Sequence, residues 1–122
     1  MKMISLLGST GSIGVNTLDI VRRNPDRFAV ATMTTGSDVE LFAQQVKEFK
    51  PALISVFNPS KLAELKELLK GEDVEILSGE AGTVKVASHP DVSLVVSAIV
   101  GSAGLVPSLA AIQSGKDLAL AN

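Results

Sequence analysis

Between residues 8 and 14 the chain reads Gly8-Ser9-Thr10-Gly11-Ser12-Ile13-Gly14, three glycines spaced three apart and interleaved with hydroxyl side chains. With a strand-like run before it and a helical pattern after it, such a segment is suited to holding a phosphate. Glycine permits a tight turn at Gly8 and a close approach of backbone N–H groups at Gly11, and Gly14 lets the new helix lie near the sheet. Ser9, Thr10 and Ser12 add hydroxyl donors, and the helix N-terminus adds partial positive charge. The expected ligand is the pyrophosphate of a dinucleotide. The spacing is G-x-x-G-x-x-G rather than the commoner G-x-G-x-x-G, and no Gly-Lys-Ser/Thr follows, so it is not a Walker loop.

Two further segments are expected at the same edge. At the end of the second strand, where an acidic residue would take the ribose hydroxyls of NAD, the chain has Thr34-Thr35-Gly36-Ser37-Asp38. Small hydroxyl residues leave space for a 2′-phosphate and modestly favour NADP, although the loop offers no Arg or Lys to pair with it. Ser37 and Asp38 serve equally well as helix caps. The other segment, Ala98-Ile99-Val100-Gly101-Ser102-Ala103-Gly104-Leu105, could lie along the cofactor or simply turn the chain into a helix. His89, the sole histidine, precedes Pro90 in an expected turn and reads as a surface residue rather than a base.

These loops need a scaffold. Apolar runs at Met3–Leu7, Phe28–Met33, Leu53–Phe57, Val74–Leu77, Leu94–Ala98 and Leu118–Ala121 read as strands covered on both faces. Helical periodicity fills Ile13–Arg23, Val39–Phe49, Ser60–Leu69, Ala81–Ser88 and Leu105–Ser114. Ser37 and Glu40 have the spacing of a capping box, Asn58-Pro59 offers a cap and a proline at the first helical position, and Gly71 and Gly115 sit where helices should stop. Asn24-Pro25 ends the first helix, with Arg22 and Arg23 facing the negative end of its dipole. Alternating βα units imply an α/β, Rossmann-like, doubly wound parallel sheet of about six strands with helices on both faces. The expected order is 3-2-1-4-5-6, with functional loops after Leu7, Met33, Leu77 and Ala98.

Composition narrows the class. The 122 residues fit one domain, and 46% hydrophobic with 20% charged residues is a globular balance. A net charge of −2 gives no basic field for nucleic acid. With no cysteine there is no disulfide framework, thiolate metal site or thiol nucleophile. The apolar start is too short for a signal peptide and no stretch is long enough to span a bilayer, so a cytoplasmic protein is expected, or an organellar one whose transit segment lies outside this sequence.

Leu7 through Gly14, with Thr17-Leu18-Asp19 and then Asn24-Pro25 and Phe28, resembles the opening signature of the 1-deoxy-D-xylulose 5-phosphate reductoisomerase family. Ala98-Ile99-Val100-Gly101, Gly104-Leu105, Pro107, Leu109-Ala110-Ala111-Ile112, Gly115-Lys116 and Leu120-Ala121-Asn122 resemble its second signature. The resemblance implies that Thr10, Gly11, Ser12 and Ile13 contact the NADPH pyrophosphate region. It also implies that Gly36, Ser37 and Asp38 surround the adenosine ribose phosphate and that Asn122 borders the nicotinamide; Gly101, in the fifth-strand loop, is a further cofactor-binding candidate. In the family a Lys-Glu pair follows the asparagine matched by Asn122. The acidic ligands for Mg or Mn and the substrate-phosphate site lie further on, so residues 1–122 are expected to form the NADP(H)-binding domain of a longer, homodimeric enzyme, with no catalytic or metal-ligating residue of their own.

The full enzyme's implied reaction rearranges the substrate skeleton with a divalent metal and reduces the aldehyde intermediate with NADPH, giving 2-C-methyl-D-erythritol 4-phosphate for isoprenoid synthesis by the non-mevalonate route. The isolated chain is expected to turn over nothing. One position departs from the family, which usually has asparagine where this chain has Asp38. A carboxylate there repels a 2′-phosphate unless it caps the helix or meets a cation. Two rival readings are a stand-alone nucleotide-sensing module and the cofactor domain of another two-domain oxidoreductase.

Overall fold

The computed structural model describes residues 1–99 and 101–120. Six strands form one parallel sheet: β1 (Lys2–Leu7), β2 (Phe28–Thr35), β3 (Leu53–Val56), β4 (Glu75–Ser78), β5 (Leu94–Ser97) and β6 (Asp117–Leu120). The helices between them are α1 (Ser12–Arg23), α2 (Val39–Phe49), α3 (Leu62–Leu68), α4 (Gly79–Ala87) and α5 (Leu105–Gln113), with short 3₁₀ turns at Pro59–Lys61 and Gly101–Gly104. The Rossmann-like α/β class is as expected.

The order differs from 3-2-1-4-5-6. It is β4-β3-β2-β1-β5-β6, so the fourth strand continues outward beyond β3 and the reversal comes one crossover later. The partner of β1 on the far side is β5, and the loop after Leu77 therefore lies at the sheet's edge, away from the switch point. Right-handed crossovers account for the layering. Leu18 and Val21 of α1, Phe42 and Val46 of α2, and Leu65 of α3 pack on Ile4, Leu6, Met33 and Ile54 on one face. Val86, Ala87 and Ala111 from α4 and α5 pack with Leu7, Ala31, Leu53 and Val95 on the other.

Helix α4 lies on a row of small polar side chains. The buried hydroxyls of Ser5 and Thr32 both donate to the Val86 carbonyl, at 3.2 and 2.9 Å. That carbonyl is in the last turn of α4, and the residue four positions on is Pro90, which has no N–H to give it. The sheet supplies the missing donors. Ser55 continues the row from β3 without a hydrogen-bond partner among the described residues, and a Cβ on Gly82 would stand 2.3 Å from its Oγ and 3.0 Å from the Leu77 Cβ, so a side chain there would have to displace that hydroxyl.

Several helix ends match the sequence and one does not. Asn58 caps the turn that leads into α3 through the Ser60 N–H, Asn24 closes α1, and α3 and α5 end before Gly71 and Gly115. The cap of α2 is Asp38, not Ser37: its Oδ1 accepts from the Leu41 N–H at 3.3 Å. His89 lies in the turn between α4 and β5, at the end of the sheet opposite the loops that follow the strands, and its Nδ1 accepts from the Asp91 N–H.

Helices α1 and α2 are also joined at the surface. The guanidinium of Arg22 meets both carboxylate oxygens of Glu48, reaches Asp19 at 3.2 Å, and lies over the Phe49 ring. The hydrogen bond from Arg22 holds the Glu48 carboxyl below its ordinary range. A lowered folded-state pKa contributes stability above the unfolded value and loses it as pH falls through the folded one. In melting scans from about pH 7 to about pH 3, Glu48→Gln should be less stable than the parent at neutral pH, the difference closing in acid. An offset independent of pH would assign the pair's role to packing alone.

Candidate functional site

The carboxyl ends of β1, β2, β3 and β5 surround a cleft of about 260 Å³. Gly8, Thr10 and Gly11 form its floor, Thr34, Thr35 and Gly36 one side, Ala98, Ile99 and Ala103 the other, with Phe57 and Thr83 closing the remainder. It lies beside the β1–β5 neighbourhood, where an open α/β sheet binds ligands.

The glycine loop is built from its own backbone and from β2. Gly8 has a φ of +82°, a left-handed conformation that only glycine adopts without strain. Its N–H donates to both the carbonyl and the hydroxyl of Thr34, at 3.2 and 2.9 Å, and the Ser9 N–H donates to the same carbonyl at 2.9 Å. Thr10 and Thr35 share a hydroxyl contact of 2.8 Å. Strand β2 thus runs through Thr35 rather than stopping at Met33, because both threonines bond the neighbouring loop from strand positions.

Ser9 corrects the expectation of a ligand-facing hydroxyl. It is fully buried, and its Oγ donates to Gln45 Oε1 of α2 at 2.6 Å. The loop then opens outward. Gly11 is the N-cap of α1 in an extended conformation, with no side chain capping the helix and nothing within 4 Å of where its Cβ would stand. The N–H groups of Thr10, Gly11 and Ser12 have no acceptor among the described residues. They form, with the positive end of α1, a cradle open on the side from which an anion would come. Gly14 makes that geometry possible, because a Cβ there would meet the Gly8 carbonyl oxygen at 2.2 Å and Ser9 backbone carbon at 2.6 Å. The close approach is of helix to loop, not helix to sheet.

Of the expected site residues, Thr10, Gly11 and Gly36 line the cleft, and Ser12 and half-buried Ile13 begin α1 directly beside it. Ser37 and Asp38 are exposed at the rim, with Ser37 Oγ accepting from Asn58 Nδ2 at 3.4 Å and Asp38 occupied in capping α2. Gly101 opens the 3₁₀ turn that brings Ala103 to the cleft. Asn122 lies outside the described residues. Sequence reasoning missed Phe57, Thr83 and Gln45. Phe57 ends an apolar run and Thr83 sits inside a helical pattern, so neither carries a local signal of a site, while Gln45 is the one polar residue on the buried stripe of α2.

Comparison with known proteins agrees with the fold. The family described as 1-deoxy-D-xylulose 5-phosphate reductoisomerase matches residues 4–122. The chain belongs to that family. The chloroplastic reductoisomerase of Mentha piperita is 58% identical over 99% of this chain, and that of Chlorobaculum tepidum 52% identical over all of it. A reductoisomerase from Zymomonas mobilis, solved in complex with NADPH, superposes with a TM-score of 0.93 at 39% identity over 99% of the chain and 32% of its own length. Another, solved with NADPH, fosmidomycin and magnesium, gives 0.96 at 40% identity over 100% of the chain and 30% of its own. The chain spans 26% of the mint protein and 32% of the Chlorobaculum protein. Family membership favours neither the sensing module nor a different two-domain oxidoreductase. Among the described residues no three His, Cys, Asp or Glu side chains gather to hold a metal, and no helix is long and apolar enough to cross a membrane.

Gly14→Ala should destabilise the chain by about 1–3 kcal/mol, since backbone atoms must move to admit the methyl group. Gly11→Ala, in open space with an extended φ, should shift stability by less than about 0.5 kcal/mol. Urea unfolding of the two variants checks both; equal effects would mean that the loop is not held as described.

Proposed function

We propose that residues 1–122 form the NADPH-binding domain of a 1-deoxy-D-xylulose 5-phosphate reductoisomerase, and that the longer protein converts that sugar phosphate to 2-C-methyl-D-erythritol 4-phosphate with a divalent metal held elsewhere in the chain. The observation that carries this reading is the cradle of N–H groups at Thr10, Gly11 and Ser12, without acceptors among the described residues, at the N-terminus of α1 and with room for an anion. The family match supplies the substrate class. Homodimerisation and a cytoplasmic location of the longer protein complete the proposal; the mint and rice relatives are described as chloroplastic.

Bound NADPH would supply the hydride. This chain's own residues would fix the cofactor: the cradle takes the pyrophosphate, and the rim at Gly36, Ser37 and Asp38 takes the 2′-phosphate of the adenosine ribose. Gly101, at the start of the 3₁₀ turn, would border the cofactor, and Asn122 the nicotinamide. The capping bond of Asp38 ties its carboxylate to the first turn of α2, which answers part of the objection that a carboxylate at this rim raises. The negative charge still lowers the local potential for a phosphate dianion.

Calorimetric titration of the chain with NADPH and with NADH, at fixed ionic strength, tests the reading. Tighter binding of NADPH is expected, and no binding of either cofactor would overturn it. Asp38→Asn keeps a helix-capping side chain and removes the charge, so NADPH affinity should rise about 3- to 10-fold while NADH affinity stays nearly constant. The pure chain should show no reductoisomerase turnover; detectable activity would contradict the assignment of the substrate and metal groups to residues beyond it.

A further inference from the structure

Gln45 sits on the buried stripe of α2, among Val39, Phe42, Ala43 and Val46, where an aliphatic side chain would pack without needing a polar partner. A buried carboxamide is tolerated only when its hydrogen bonds are made. Here the oxygen and the nitrogen each bond to the same residue of the glycine loop: Oε1 accepts from Ser9 Oγ at 2.6 Å, and Nε2 donates to the Ser9 carbonyl at 3.0 Å. The reverse orientation of the amide would set oxygen against oxygen, so the pairing also fixes which way the group points.

With the Ser9 N–H bound to Thr34, every polar group of Ser9 is taken. The residue immediately before the open N–H groups therefore has no freedom to turn. A loop whose donors point at an anion before the anion arrives does not have to be ordered by it, and preorganisation of this kind raises affinity. The clamp comes from the same α2 whose N-terminus carries the Gly36–Asp38 rim, so one helix sets both phosphate positions.

We propose that Gln45 is a positioning residue that holds Ser9 and, through it, aims the N–H groups of Thr10, Gly11 and Ser12 at the cofactor pyrophosphate. The inference rests on the NADPH-binding reading given above. Its test compares two ligands on the parent chain and on Gln45→Met, a replacement of similar length without the hydrogen bonds. NADPH needs both phosphate sites, whereas 2′-AMP needs only the rim and can be followed through the amide resonances of Gly36–Asp38.

The expected result is a loss of about 10-fold or more in NADPH affinity with a less than about twofold change for 2′-AMP. Should Gln45→Met weaken both ligands equally, the residue would be merely structural; should it weaken neither, the clamp would be idle. Either result overturns the inference while leaving the cofactor reading in place, and a parent chain that fails to bind NADPH overturns both. Ser9→Ala provides a second, milder route, because it removes the hydroxyl and keeps the bond to the Ser9 carbonyl. Its loss should be smaller, and the double variant should bind NADPH no worse than Gln45→Met alone; additive losses would count against a shared clamp.

Discussion

Thr34 is the fixed point of the structure. Its carbonyl and hydroxyl receive the N–H groups of Gly8 and Ser9, and that double attachment forces the chain leaving β1 to turn sharply instead of continuing as strand. Only a left-handed residue can make the turn, hence Gly8. Only a residue without a side chain can then let α1 settle back over the loop, hence Gly14. The direction of α1, and so the positive end it offers to the cleft, follows from a pair of contacts made by one threonine of the neighbouring strand.

The other face of the sheet is governed by closeness rather than direction. Hydroxyls from Ser5 and Thr32 serve the last turn of α4 where proline has removed the usual donor, and the helix can reach them only because β1–β3 present small residues to it. Thr83 is carried to the cleft by that packing, and its own hydroxyl turns back to the Gly79 carbonyl. On the outer flank, β6 and α5 expose Leu120, Leu105, Leu109 and Ile112 around a groove of about 310 Å³.

Much of this was legible in the sequence. The six strands and five helices of the described residues lie within a few residues of the ranges that the sequence pattern marks, because continuous apolar runs mark strands covered on both faces and the caps at Asn24 and Asn58 carry local signals. Strand order was not legible: nothing local at Val74–Leu77 says whether the fourth strand goes outward beside β3 or returns beside β1. The cradle was visible as a glycine pattern, yet the fate of each hydroxyl was not. Ser9, Thr10 and Ser12 look alike in a sequence, and only the register of β2 and the presence of Gln45 on α2 decide that the first is buried, the second shared and the third exposed. Both Ser37 and Asp38 can cap α2 by residue type, and the Leu41 N–H bond selects Asp38, one residue inside the capping-box spacing of Ser37 and Glu40.

Every group that holds the glycine loop lies between Gly8 and Gln45, whereas the opposite wall of the cleft, at Ala98, Ile99 and Ala103, comes from more than half a chain away. Loop-closure cost grows only slowly with the length of chain enclosed, so the shorter loops between β1 and α2 cost somewhat less to close than the one that brings β5 to β1. The hydrogen bonds that shape the loop are therefore all made within the first βαβα segment. The wall that the loop faces needs β5 in place on the free side of β1.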